Sequence, residues 1–153
     1  MSLVTSPTAQ DEIAPATETA ALTAYIGACD PLQVKPNKQV VRLFGSVVPH
    51  LLRVLDLGDN YLGDLGVECL AAALPLFTEL RVLSVADNGV ATRGITKLCA
   101  ALDGGKVPLQ LLDIHRNPGV TRVAGQALLN TAGRCRTLAW VNLSGTRVTA
   151  YYE

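Results

Sequence analysis

Asp56, Asp113 and His115 are the side chains of this sequence best suited by type to moving protons. Asp113 and His115 stand two residues apart, which on an extended strand puts both on one face. A carboxylate beside an imidazole is compatible with general acid–base chemistry, but no second carboxylate or nucleophile joins it at a recognisable spacing. On a strand face such a pair reads first as a solvated surface pair. Cys29, Cys69, Cys99 and Cys135 contain no CxxC spacing, and His50 and His115 lie far from any cysteine pair, which argues against a zinc site. The run DGGKVP from Asp103 to Pro108 resembles a phosphate loop only superficially. Ala100 stands where its first glycine is required, and Val107 where Ser or Thr must hold a metal. No GxSxG motif is present. The expectation is therefore a chain with no catalytic residues, no cofactor and no metal.

A different chemistry recurs along the chain. Segments starting at Leu52, Leu80, Leu109 and Leu138 each read L-x-x-[LV]-x-[LIV]-x-x-N, except that Thr146 replaces the final asparagine in the last. The starts are spaced 28, 29 and 29 residues apart. Leu55 and Leu57 flank polar Asp56, the period-two signature of a half-buried strand. A turn after such a strand needs its backbone amides and carbonyls satisfied away from water. A short side-chain amide does both jobs, so Asn60, Asn88 and Asn117 are expected to stack as a ladder from one repeat to the next. Each turn leads to an apolar residue and a glycine: Leu62 and Gly66, Val90 and Gly94, Val120 and Gly125. Amphipathic helices are then predicted over Val67–Leu74, Ile95–Leu102 and Gln126–Ala132, because Leu70 and Leu74, or Leu98 and Leu102, share one face four residues apart. Pro75 and Pro108 end or follow the helices. One strand–turn–helix unit cannot bury its apolar face alone; stacked units can.

The pattern L-x-x-L-x-L-x-x-N-x-[LV]-x-x-x-G-x-x-x-L-x-x-x-L at this period resembles the ribonuclease-inhibitor-like subfamily of leucine-rich repeats. The resemblance covers about Leu52 to Val148. It departs at Pro118-Gly119, an extra residue in the third turn, and at the last repeat, which stops after its strand. It implies an α/β leucine-rich-repeat solenoid: a curved parallel sheet of about four strands inside, with helices outside. The domain reading is a flexible tail at 1–18, an N-terminal helical cap at 19–51, and the repeats at 52–153. The tail is rich in Ser, Thr, Ala and Pro. The cap is read as one helix around Ala20–Cys29 and a second over Lys38–Val48, with Asn37 as N-cap. The arrangement of Tyr25, Cys29, Val34, Pro36, Asn37, Val40 and Leu43 is similar to segments that precede repeats in some ciliary and flagellar leucine-rich-repeat proteins.

Composition narrows the function. Formal net charge is +0, so a nucleic-acid backbone or anionic membrane finds no basic excess. The first basic residue is Lys35, leaving no positive n-region for a secretory signal and no arginines for a mitochondrial presequence. With reduced cysteines acting as small core residues, a cytoplasmic setting is expected, with cytoskeleton or cilium as the alternative. The side chains between the repeat leucines point to the concave face in three rows. The first is Val54, Val82, Leu111 and Trp140; the second Asp56, Ser84, Asp113 and Asn142; the third Gly58, Ala86, His115 and Ser144. With strands about 4.8 Å apart, the first row forms an apolar stripe of about 15 Å. Exposed apolar patches mark interaction surfaces, and tryptophan is enriched at their hot spots.

The expected function is non-catalytic recognition of a protein partner through Val54, Asp56, Val82, Ser84, Leu111, Asp113, His115, Trp140 and Asn142. Two alternatives use the same architecture. One is a structural subunit of a cytoskeletal or ciliary assembly, bound through its ends or convex side. The other is a GTPase regulator resembling the Ran GTPase activator, with Arg93, Arg116, Arg122 or Arg147 supplying charge. The edge of the last strand, 138–143, leaves self-association open unless residues Arg147–Glu153, with Tyr151 and Tyr152, fold over it.

Overall fold

The computed structural model describes residues 19–148. The expected tail at 1–18, and the segment 149–153 expected to cover the last strand, lie outside the described residues. Two helices come first, α1 (Ala20–Cys29) and α2 (Lys38–Phe44). Three strand–helix pairs and a last strand follow: β1 (Val54–Asp56), α3 (Gly63–Ala73), β2 (Val82–Ser84), α4 (Thr92–Leu102), β3 (Leu111–Asp113), α5 (Arg122–Arg134) and β4 (Trp140–Asn142). The strands form one four-stranded parallel sheet in the order β1-β2-β3-β4.

Register follows directly from the repeat spacing. Val54 pairs with Val82, Val82 with Leu111, and Leu111 with Trp140. The central residues Leu55, Leu83 and Leu112 are fully buried. They share one core with Val67, Leu70, Ile95, Leu98 and Leu128 from the helices. Each such leucine contributes about 1.5–3 kcal/mol relative to exposure. The helix layer stacks in the same sense as the sheet, α3 against α4 and α4 against α5, while α1 packs on α3.

The N-terminal helices are fixed by both capping and aromatic packing. Thr19 accepts from the Leu22 amide to start α1, and Asn37 Oδ1 accepts from Gln39 and Val40 at the start of α2. Tyr25 meets Phe44 edge-on at 5.8 Å, and Phe44 meets Phe77 at 5.2 Å. The Tyr25 hydroxyl accepts from the Asn37 amide at 2.9 Å, and Asn37 Nδ2 donates to the Asn60 carbonyl at 2.7 Å. These bonds tie the helical pair to the first turn after β1. Burial pushes the Tyr25 phenol up to about 12, and burial with a hydrogen bond to Cys29 does the same to the Cys69 thiol. All four cysteines are buried free thiols.

The helices differ from the sequence expectation at their ends. Those of the repeats begin about four residues earlier than apolar periodicity indicates, at Gly63, Thr92 and Arg122. The second helix closes at Phe44 rather than Val48. Its C-cap Gly45 donates to Val41, and Pro49 opens a separate 3-10 turn over Pro49–Leu51. Pro75 likewise sits in a 3-10 turn, Leu74–Leu76, just after α3.

The early start of α4 has a long-range cause. Asp64, on α3, places Oδ1 2.7 Å from the Ala91 amide and 2.9 Å from the Gly94 amide. One repeat thus caps the helix of the next. A Cβ at Gly94 would lie 2.6 Å from that same Oδ1 and 2.8 Å from Val90 Cγ1. Gly94→Ala is therefore expected to cost about 1–3 kcal/mol, read as a drop in the urea midpoint at unchanged m-value. An unaltered midpoint would show that α3 and α4 do not approach this closely.

Candidate functional site

The turns after the strands set the geometry of the exposed sheet face. Asp59, Asp87 and Arg116 take the left-handed conformation, with φ of 56°, 51° and 56°, and Gly145 takes it at 74° in the last turn. Short polar side chains tolerate that conformation better than most. It swings the following asparagine inward. Asn88 is 3% exposed and Asn117 fully buried, whereas Asn60 is half-buried. Asn88 Oδ1 accepts from the amides of Asn60 at 2.9 Å and Leu62 at 3.2 Å, and its Nδ2 donates to the carbonyls of Leu57 and Ala86. Asn117 repeats the arrangement one unit on, accepting from Asn88 and Val90 and donating to Val85 and Ile114. In the last turn Thr146 Oγ1 donates to the Leu143 carbonyl within its own unit.

With the turns anchored, the strands present alternate side chains outward. Val54 is 56% and Trp140 64% exposed, and Val82 and Leu111 between them are half-exposed. Strand pairing joins these four in one line across the sheet. The same register aligns Asp56, Ser84, Asp113 and Asn142 beside them. All four of these polar side chains accept from a backbone amide two residues on: Asp56 from Gly58, Ser84 from Ala86, Asp113 from His115, and Asn142 from Ser144. Each thereby has a fixed direction. His115 Nδ1 lies 2.6 Å from Asp113 Oδ1, so imidazole and carboxylate form one unit at the sheet surface. The third row is not a continuous surface, because Ala86 is buried.

Several residues on or beside this face carry no signal in the repeat leucines. Asp59 and Asp87 are exposed at the left-handed turn positions. Together with Asp56 and Asp113 they make the C-terminal ends of the first three strands acidic. An aspartate before the ladder asparagine was the available clue. Beside the first strand, at the edge of the sheet, a shallow cavity of about 280 Å³ opens between α2 and β1, lined by Gln39, Arg42, Leu43, Ser46, Asp56, Leu57 and Asn60. It continues the face onto α2, and no repeat pattern could have marked it.

The arginines of the regulator alternative are dispersed. Arg93 bonds Glu68 at 3.1 Å, Arg116 shapes a turn, and the backbone amide of Arg147 donates to the Val120 carbonyl. Among the described residues no three His, Cys, Asp or Glu side chains are grouped to hold a metal ion. No helix there is long and apolar enough to cross a membrane.

Against known protein families, a model described as Leucine Rich repeat matches residues 48–71, which hold the first 3-10 turn, β1 and most of α3. No curated protein matches the chain. The family match, with a parallel four-stranded sheet backed by helices, supports a leucine-rich-repeat protein and hence a protein-interaction module.

Proposed function

We propose that this leucine-rich-repeat chain is a non-catalytic recognition module of the ribonuclease-inhibitor-like type. In this reading it is a solenoid whose first two helices cap the core, and it binds a protein partner on the concave sheet face. The observation that carries the reading is the line Val54–Val82–Leu111–Trp140, outward-facing at every strand with both terminal residues more than half exposed. Folding gains nothing from an exposed tryptophan at the end of an aliphatic stripe, whereas an interface gains a desolvated anchor. The neighbouring row of Asp56, Ser84, Asp113 and Asn142 supplies directional polar contacts, held by their own turn amides. Burying the apolar stripe gives affinity, and the aligned acceptors give register to the docked partner. His115, bonded to Asp113, extends this polar row at its edge. The setting that suits the reading is cytoplasmic, with a cytoskeletal or ciliary location as the alternative.

The test is truncation at the anchor. Trp140→Ala is expected to weaken the partner by at least about 2 kcal/mol, roughly 30-fold in Kd, with the fold unchanged by circular dichroism. Leu129→Ala, on the outer layer, serves as the control. Equal affinities for wild type and Trp140→Ala would remove the stripe from the interface.

A further inference from the structure

Two carboxylates on the margin of the sheet face answer to nothing in the fold. Asp59 and Asp87 occupy the same position in the first two turns, and both are exposed. The Asp59 amide donates to the Ala86 carbonyl at 3.0 Å, which sets the two turns side by side. Among the described residues neither carboxylate has a hydrogen bond or an ion pair. The left-handed backbone at this position does not call for an acid, since Arg116 and Gly145 hold it in the third and fourth turns. Like charges on adjacent turns repel, so folding gains nothing from the pair. Tyr61, two residues beyond Asp59 in the first turn, is 91% exposed.

The other charges of the face are already answered or lie elsewhere on it. Asp113 is bonded to His115 at 2.6 Å, and Asp56 shares the cavity lining with Arg42. Arg53 and Arg81 stand at the opposite margin, where β1 and β2 begin, and Arg81 is bonded to Glu79 at 3.3 Å. Arg116 replaces the acid at the third turn, so the negative margin stops after two units. The face therefore has a direction. Its unanswered carboxylates lie over the first two units, and its largest apolar side chain, Trp140, lies at the far end of the apolar line. A partner that fills this surface must bring cations to one end and apolar side chains to the other. A guanidinium suits the first turns best, because it can pair with a carboxylate and lie against an aromatic ring at once. An acidic or uncharged segment would cover both aspartates and leave them without a counter-charge.

We propose that the partner segment held by the sheet face is a polypeptide basic at one end and apolar at the other. Its arginine or lysine side chains sit at the Asp59 and Asp87 turns beside Tyr61, and its apolar side chains lie along Val82, Leu111 and Trp140. This inference rests on the sheet face being the recognition surface, and it adds the class and the direction of what that surface holds. The apolar line gives affinity, and the two carboxylates give selection and orientation.

Three fluorescein-labelled peptides of twelve residues serve as probes for the full chain. The first alternates Gly with Arg in one half and Gly with Leu in the other; the second has Glu for Arg, and the third Ser for Leu. Anisotropy titration is expected to show the first binding at least tenfold tighter than either of the others, and weakening as salt rises. Asp59→Asn/Asp87→Asn removes the charge but keeps side chains that tolerate the left-handed backbone, so circular dichroism is expected to show the fold unchanged. That double substitution is expected to weaken the first peptide at least tenfold, and Trp140→Ala to do likewise. A loss on Trp140→Ala with the aspartate variant within twofold of wild type would overturn the basic partner and leave the sheet face as the recognition surface. A loss on the aspartate substitutions with Trp140→Ala within twofold would overturn the sheet-face reading, and this proposal with it. No binding of any peptide, or a second peptide binding as tightly as the first, would overturn the proposal. So would a concentration-dependent dimer of the free chain abolished by Asp59→Asn/Asp87→Asn, which would make a second copy the occupant.

Discussion

Leu83→Ala is expected to lower the free energy of unfolding by about 2–5 kcal/mol, the largest stability loss of any single change considered for this chain. Leu83 is the central residue of β2, fully buried, and packed between its register partners Leu55 and Leu112. Its isobutyl group lies where the core of one unit becomes the core of the next. Removing it loses the transfer energy of the deleted atoms and leaves a void that two neighbouring strands, held by their own hydrogen bonds, cannot collapse to fill. The loss should appear in urea melts as a lower midpoint with the single cooperative transition kept. Leu129→Ala, by contrast, is expected within about 0.5 kcal/mol of wild type, because Leu129 is mostly solvated. A Leu83→Ala midpoint matching wild type would mean the strands do not stack on one shared core.

Asn88→Ala is the second large effect, expected to cost about 3 kcal/mol. Its methyl group would fill little of the amide's volume, but volume is the smaller part of the loss. The substitution leaves the amides of Asn60 and Leu62 without an acceptor, and deprives the Leu57 and Ala86 carbonyls of a donor, in a place water does not reach. An unsatisfied buried polar group costs about 1–3 kcal/mol, and partial relaxation of the turn keeps the total below a simple sum. Asn60→Ala is expected to cost less, since Asn60 is half-buried and its Nδ2 reaches only the Gly58 carbonyl at 3.1 Å. That ordering, Asn88 well above Asn60, separates a buried hydrogen-bonded column from a set of solvated turn asparagines. It is checked by chemical denaturation of the two variants side by side.

How much of this was legible in the sequence depends on what each feature answers to. Strand register was legible because a spacing of 28 and then 29 residues leaves one way to align Val54, Val82, Leu111 and Trp140. The inward asparagines were legible because few side chains can both accept and donate within one turn. The helix starts were not, since the group that caps α4 is Asp64, far upstream, and a carboxylate there looks like any exposed acid. The burial of Ala86 was also hidden. Strict alternation holds only along β2, and the chain leaves it after Ser84 for a turn whose carbonyl is taken by Asn88. The acidic turn positions Asp59 and Asp87 were missed for the same reason, as left-handed backbone re-aims side chains that a strand pattern assigns elsewhere. The cavity beside Arg42 and Gln39 arises where a non-repeating helix meets the first strand. Periodicity has nothing to say about such a contact.

The site and the fold depend on each other in one direction only. Turn amides orient Asp56, Asp113 and Asn142, and buried leucines hold the strands that carry the apolar line, so loss of the core would dismantle the exposed sheet face as well. The outward residues Val82 and Trp140 contribute little to that core, and charge can be placed on them without dismantling it. The most direct measurement is therefore an affinity capture from source-cell extract with wild type beside the Val82→Glu/Trp140→Glu double variant, after circular dichroism has shown both equally folded. The expected result is a protein partner retained by wild type and lost by the double variant. The same partner retained equally by both would contradict recognition on the sheet face.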